Sequence, residues 1–312
     1  MALSRSAIVR GPGCLFWNPG ASQIAIPVAG GITAELAVKE AQLAADHVGE
    51  FDVRTIDVEA KISATPVGLL TADILGVLFP TAFRNPTIGA SVFGASDTPC
   101  LVHSKAGTKM TFHACAVTKM PSLILSAAKP LYGGMEITAI RKNNTEWTDA
   151  AALYTKAAAS FSEPAMASAD AVTQAYSAAW GDVFTALHSE DGWTVDFTAN
   201  LKPDPIDAYG TNDYLIDGVT AIAKCRPKNL DETLIDALLV QGASAAIGGS
   251  RRRGKNLVIT GGDLTVTLYD AVLQKGPLRW GRTEVRAGEI AFAAQRAEST
   301  GTYGALFALA LA

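Results

Sequence analysis

Cysteine is scarce in this chain and never clustered. Cys14, Cys100, Cys115 and Cys225 are spread over 312 positions, and no two form a CxxC pair. A zinc site or a disulfide framework needs closer spacing, so these read as reduced, buried, small hydrophobes of a protein made in a cytoplasm. Basic charge is short as well: 26 Lys and Arg against 30 Asp and Glu leave a net charge of −4. That speaks against a chain that holds nucleic acid by neutralising its phosphates, though a mildly acidic protein can let nucleic acid pass. Aromatics are only 7% of residues, and the apolar content leans on Ala and Gly. No apolar run reaches the roughly 18 residues of a membrane span. The segment Met1 to Ser6 lacks the apolar stretch of a signal peptide, so none is expected. With 49% hydrophobic and 18% charged residues, the chain can bury a sizeable core and is not expected to be disordered.

Catalytic signatures are also thin. Gly249-Ser-Arg-Arg-Arg-Gly-Lys-Asn256 falls one residue short of a phosphate-binding loop, because Asn256 has no hydroxyl for magnesium. It also precedes an expected strand, whereas such a loop follows one. Arg251, Arg252 and Arg253 read more simply as a solvated basic turn, or as a contact to an acidic neighbour. His113 and Cys115 are two apart on an expected strand and share a face, but a metal or Cys–His site needs further partners such as His103. Ser91 lies in Gly-Ala-Ser-Val-Phe, without the final glycine of a nucleophile elbow. Asp204 and Asp207 sit among prolines and read as turn acids. The residues therefore carry no catalytic, cofactor or metal assignment, and no enzyme is expected.

What the chain has is a repeat. Lys109-Met-Thr-Phe-His-Ala-Cys-Ala-Val-Thr-Lys119 aligns with Thr265-Val-Thr-Leu-Tyr-Asp-Ala-Val-Leu-Gln-Lys275 at a shift of 265 − 109 = 156. Val58 to Pro66 resembles Val219 to Pro227 at a shift of 219 − 58 = 161, and Glu136 matches Glu289. An apolar helical segment follows the upstream match in each copy, Thr71 to Leu78 and Asp231 to Val240. Alternation predicts strands over Phe51 to Ala64, Leu215 to Cys225, Leu257 to Thr260, Leu264 to Leu273 and Glu289 to Ala294. Trp193 to Leu201 is expected to pair with Leu215 to Cys225 across a long loop. The expected fold is mainly β (α+β): two tandem modules of antiparallel sheet, in a sandwich or barrel segment, each with one packed helix. The boundaries are 1–148 and 176–297, with a linker at 149–175, partly helical near Ala151 to Ala159, and an apolar C-terminal extension at 298–312.

Several segments resemble the major tail tube proteins of long-tailed bacteriophages. They include Ile88-Gly-Ala-Ser-Val-Phe-Gly94, Lys109 to Ser122, Ile137-Thr-Ala-Ile-Arg-Lys-Asn143, Asp191-Gly-Trp-Thr-Val-Asp-Phe197 and Arg286-Ala-Gly-Glu-Ile290. The resemblance runs from about Arg5 to Arg296. It implies a structural virion protein that polymerises into stacked rings, the conduit for DNA ejection. In that family six modules complete a ring around a β-lined lumen. A chain of two modules then predicts a homotrimer with pseudo-six-fold symmetry, with a hexamer as the alternative if one half decorates the exterior. Implied partners are further copies, a tape-measure protein, and tail terminator and tail tip proteins. DNA would pass without specific binding, and no membrane is involved. The implied location is the virion tail, after assembly in the host cytoplasm. A tail terminator, a baseplate hub and, less favoured, a β-rich enzyme are the competing readings. Candidate lumen-facing acids are Glu59, Asp196 and Asp217. Candidate contacts between rings or subunits are Asp204, Asp207, Arg251, Arg252, Arg253, Tyr303 and Phe307, with Pro203 to Asp213, Asn18 to Ala34 and the apolar tail from Tyr303 to Ala312 as loop or terminal arms.

Overall fold

The computed structural model describes residues 13–18, 23–45, 49–67, 71–93, 98–105, 107–126, 131–140, 153–162, 176–206, 210–228, 235, 254–275, 278–280, 285–296, 298–299 and 302–311. In the first half lie β1 (Gly13–Trp17), β2 (Ile24–Ile26), β3 (Val28–Ala45), β4 (Gly49–Pro66), α1 (Ala72–Leu78), α2 (Thr81–Arg84), β5 (Cys100–Ser104), β6 (Thr108–Phe112), β7 (Ala114–Lys119), β8 (Leu123–Leu125), β9 (Met135–Ile140) and β10 (Tyr154–Ala158). The second half has β11 (Ser177–Trp180), β12 (Phe184–Ile206), β13 (Gly210–Pro227), β14 (Lys255–Gly261), β15 (Leu264–Lys275), β16 (Leu278–Trp280), β17 (Val285–Ala287), β18 (Ile290–Ala293), β19 (Glu298–Ser299), β20 (Thr302–Tyr303) and β21 (Phe307–Leu311). Among the described residues, 70% are strand and 6% helix, so the fold is mainly β, and its sheets are antiparallel.

The first half makes two sheets, in the orders β10-β6-β5-β1-β2 and β3-β4-β9-β7. The chain passes from the five-stranded to the four-stranded sheet between β2 and β3 and between β6 and β7, and returns between β4 and β5 and between β9 and β10. The same pairing order recurs in the second half. There β21, β15, β14, β11 and the start of β12 pair in sequence, and the rest of β12 pairs with β13, then β18, then the end of β15. Here β12 and β15 run unbroken, so each belongs to both sheets and the ring of pairings closes on itself. Closure leaves fewer raw edges, which is how such sheets avoid random pairing.

Each long hairpin carries a glycine at a matching irregularity. Gly31 has φ +94° and Gly192 has φ +92°, and each falls in a register shift within its hairpin pairing, between Ala29 and Ile32 and between Ser189 and Trp193. Positive φ is open to glycine and strained for other residues. The interior of the second half is aromatic. Phe292 stacks edge-on against Trp180 at 5.1 Å and lies 6.2 Å from Phe184 and 6.4 Å from Trp193. The Trp180 indole satisfies itself by donating to the carbonyls of Lys255 and Ala271. Thr71 caps α1 by accepting from the Ile74 amide, and Ile74, Leu75, Val77 and Leu78 are buried. One continuous apolar core runs through both halves.

Several expectations need correction. The segment expected to be partly helical near Ala151 to Ala159 holds strand β10, which pairs along β6; edge pairing overrides the helix preference of its alanines. The C-terminal extension supplies β21, which pairs with β15 of its own chain. Pro203 to Asp213 is not a long loop: β12 continues to Ile206 and β13 starts at Gly210. Pro203 and Pro205 are tolerated there because β12 past residue 195 pairs only with β13 among the described residues, and an edge needs no donor outward. Asn18 to Ala34 likewise contains β2 and the start of β3. The helix expected from Asp231 to Val240 lies outside the described residues, Ile235 apart.

A Cβ at Gly192 would sit 2.6 Å from the Leu125 carbonyl oxygen, whereas one at Gly31 meets nothing within 4 Å. Gly31→Ala is therefore expected to cost about 1 kcal/mol from backbone strain alone, and Gly192→Ala clearly more. Urea unfolding of the two variants checks the order; equal midpoints would contradict the β8–β12 packing.

Candidate assembly surfaces

The two longest hairpins, β3–β4 and β12–β13, match residue for residue. Leu36 pairs with Ala60 and Phe197 with Ala221, a shift of 197 − 36 = 161 and of 221 − 60 = 161. The register shifts also coincide: Ile56 and Asp217 are extra residues at one bulge, and Phe51 and Asn212 at the next. Only positions 60–64 of β4 find a third strand, β9. Outward from there β3–β4 pairs with no other strand among the described residues. Its inward face continues the core face of Ile62 and Ala64 into solvent, so Leu36 and Val38 are each 49% exposed and Val53 is 51% exposed.

The second hairpin is covered. Its β13 end lies against residues 89–92 of the first half: Gly89 N–H donates to Ile216 O, Ile216 N–H to Ala90 O, and Val92 N–H to Tyr214 O. Phe197, on its inward face, packs on Phe79 at 5.0 Å and Phe307 at 4.5 Å. Polar contacts then tie it to β4. The Thr211 hydroxyl donates to Asp57 Oδ2 at 2.6 Å, and the Tyr214 hydroxyl donates to Glu59 Oε2 at 2.8 Å. Lys39 Nζ adds an ion pair to Asp57 at 2.9 Å and a looser one to Glu59 Oε1 at 3.6 Å. Among the described residues, that loose pair is all that Glu59 Oε1 has, since it accepts no hydrogen bond from them. Burial alone would raise the Asp57 carboxyl, but hydrogen bonds from Thr211 and Lys39 outweigh it and hold the group below its ordinary value. Burial, followed by donation to Glu59, pushes the Tyr214 phenol up.

The sequence-predicted residues are therefore scattered. Glu59 is 5% exposed and sits under the second hairpin, so it is not an open-face acid in the single chain; a residue 155 positions away covers it. Asp196 lies on the outward face of β12 and pairs with Lys224 at 2.7 Å. Asp217 is exposed at its bulge. Asp196, Lys224, Arg226 and Glu289 line a shallow cavity of about 340 Å³, in which Arg226 also faces Asp191 at 3.6 Å. The outward sheet faces carry both signs, with Glu35, Lys61 and Glu136 in the first half and Asp196, Lys224 and Arg226 in the second. Asp204 is exposed on β12, while Asp207 and Arg251 to Arg253 lie outside the described residues. Tyr303 is 46% exposed with Arg296 stacked over its ring. Phe307 is not a surface contact: it is 1% exposed, because β21 turns it into the chain's own core.

The remaining motifs stay apart. His113 falls in the break between β6 and β7, so it does not share a strand face with buried Cys115. His103 Nε2 donates a hydrogen bond to the Ala159 carbonyl, and its ring meets the Phe161 ring. No group of three metal-binding side chains occurs among the described residues, and none of their helices is long and apolar enough to cross a membrane. No protein-family model matches the chain, and no curated protein matches it.

Sequence reasoning missed Asp57, Thr211 and Tyr214. Thr211→Val leaves the buried Asp57 short of a donor and is expected to cost roughly 1–3 kcal/mol at pH 7. Because the folded-state pKa of Asp57 is depressed, its contribution is present above the ordinary carboxylate value of about 3.9 and is lost as pH falls through the lower folded value. Denaturant midpoints of wild type and variant are thus expected to converge on acidification below about pH 4; a gap that stays constant would contradict the Asp57 role.

Proposed function

We propose that this chain is a structural virion subunit that assembles into stacked rings, the tail tube through which bacteriophage DNA is ejected. The observation that carries this reading is the recurrence of one strand-pairing order in two halves, with the hairpin of the second half laid across the first. A unit that receives its neighbour's hairpin on one side and offers its own on the other makes a heterologous contact, and such contacts propagate.

The four-stranded sheets β3-β4-β9-β7 and β12-β13-β18-β15 are the natural lumen wall. β8 pairs with β12, Leu125 with Trp193 and Leu123 with Val195, which brings the second sheet's edge to the first half. The outward faces combine small residues with charges of both signs, and Asp196 is neutralised by Lys224. A wall of that kind would not hold a polyanion, which suits DNA passing without specific binding. Three chains supply the six half-units of one ring. In this role the chain meets further copies, a tape-measure protein, and terminator and tip proteins, and it resides in the virion tail after assembly in the host cytoplasm.

Negative-stain electron microscopy of concentrated protein tests the reading. Hollow tubes with three chains per ring are expected. Six chains per ring would keep the function and remove the pseudo-six-fold symmetry. Single closed rings that never stack would point instead to a terminator or hub.

A further inference from the structure

One contact between repeated units is complete within the chain, and both surfaces of its counterpart are left open. On the giving side, the shift of 161 places Leu36 at the position of Phe197, Val38 at that of Ala199 and Val53 at that of Tyr214. Phe197 is covered by Phe79 and Phe307, and Tyr214 reaches Glu59 and lies beside Phe93. Leu36, Val38 and Val53 are about half exposed, and they are three of the five large hydrophobic side chains that stand out from the described surface. All three face one way on the hairpin, because the bulge at Ile56 keeps Val53, paired with Gln42, on the face of Leu36 and Val38.

On the receiving side, Asp57 and Glu59 correspond to Gly218 and Thr220. Asp57 and Glu59 are 8% and 5% exposed under the second hairpin. Gly218 is only partly covered and Thr220 is exposed. The uncovered positions of each half are thus the partners that the other half's contact would require.

We propose that the β3–β4 hairpin of one chain docks on the second half of a second copy, laying Leu36, Val38 and Val53 across the outward face of β13 at Gly218 and Thr220. The contact is head to tail, so each copy gives one surface and receives on the other, and the series closes into a ring or runs on as a filament. Its chemistry differs from that of the internal contact. The tyrosine–carboxylate pair is replaced by Leu36, Val38 and Val53 against the small, uncharged Gly218 and Thr220, with the exposed Glu40 standing on the same face between Val38 and Gln42. An extended two-stranded hairpin is marginal in water by itself, so this docking also stabilises the part of β3–β4 that lacks a third strand. The proposal names the surfaces and stands without the tube reading.

The four native cysteines are buried, which leaves a low background for thiol chemistry. Full-length Val53→Cys and Thr220→Cys proteins are mixed at assembling concentration and treated with a short bismaleimide. Linked dimers are expected in the mixture and not with either variant alone, and a chain carrying both substitutions is expected to give a ladder. Linkage of Val53→Cys to itself would mean a symmetric contact and overturn the proposal. So would an unlinked mixture, whether light scattering shows it associated or monomeric. Leu36→Glu with Val38→Glu is the companion test: a folded circular-dichroism spectrum with association lost is expected, and undiminished association would count against the docking. Cross-linking without tubes in the microscope would sink the tube reading and leave this contact in place.

Discussion

An antiparallel pair of strands has two faces and can cover neither by itself. That constraint shapes this molecule. Wherever a hairpin outruns its sheet, its apolar face must find another layer, and the chain meets the demand once internally, by laying β12–β13 on the first half. The aromatic contacts of Phe197, the amide bonds at residues 89–92 and the polar pairs at Asp57 and Glu59 all follow from that placement. The halves are held as one body because a single hairpin would otherwise leave these groups in water.

The polar part of the interface sets orientation more than energy. Buried carboxylates are costly unless donors reach them, so Asp57 and Glu59 accept the second hairpin only when Thr211 and Tyr214 arrive in register. A slip of one residue would turn Tyr214 to the other face and leave Glu59 with the distant Lys39 alone. The paired bulges at Ile56 and Asp217 and the paired glycines, Gly31 and Gly192, keep the two hairpins in the same twist and register. Keeping the geometry while changing side chains places Phe197 and Tyr214 in a covered contact and leaves Leu36, Val38 and Val53 exposed at the matching positions.

Much of the strand plan was legible in the residues. Alternation at Val266 and Leu268 against Thr265 and Thr267 gives one buried face, and both valine and leucine are fully buried in β15. The pairing of Trp193 to Leu201 with Leu215 to Cys225 was readable from the same pattern and holds in the register. What misled was turn chemistry. Pro203, Asp204 and Pro205 signal a loop, yet they continue a strand, since an edge strand without an outer partner tolerates proline. The alanines at 157 and 158 favour a helix locally, yet the open edge of β6 claims them. Gly31-Ile-Thr and Gly192-Trp-Thr recur at the shift of 161 and mark the matching register shifts of the two hairpins, a signal that alternation alone does not carry.

The sequence by itself determined that the chain is β-rich, that its features recur about 156 to 161 positions apart, and which side of each strand is apolar, because period-two alternation is written locally. Only the tertiary structure decided which acids are buried, which edges are closed and which apolar faces stay open. Glu59 and Tyr214 are 155 positions apart, and Phe307 meets Phe79 across the joint between halves. Such pairings depend on how sheets stack and where bulges shift the register, and local patterning fixes neither.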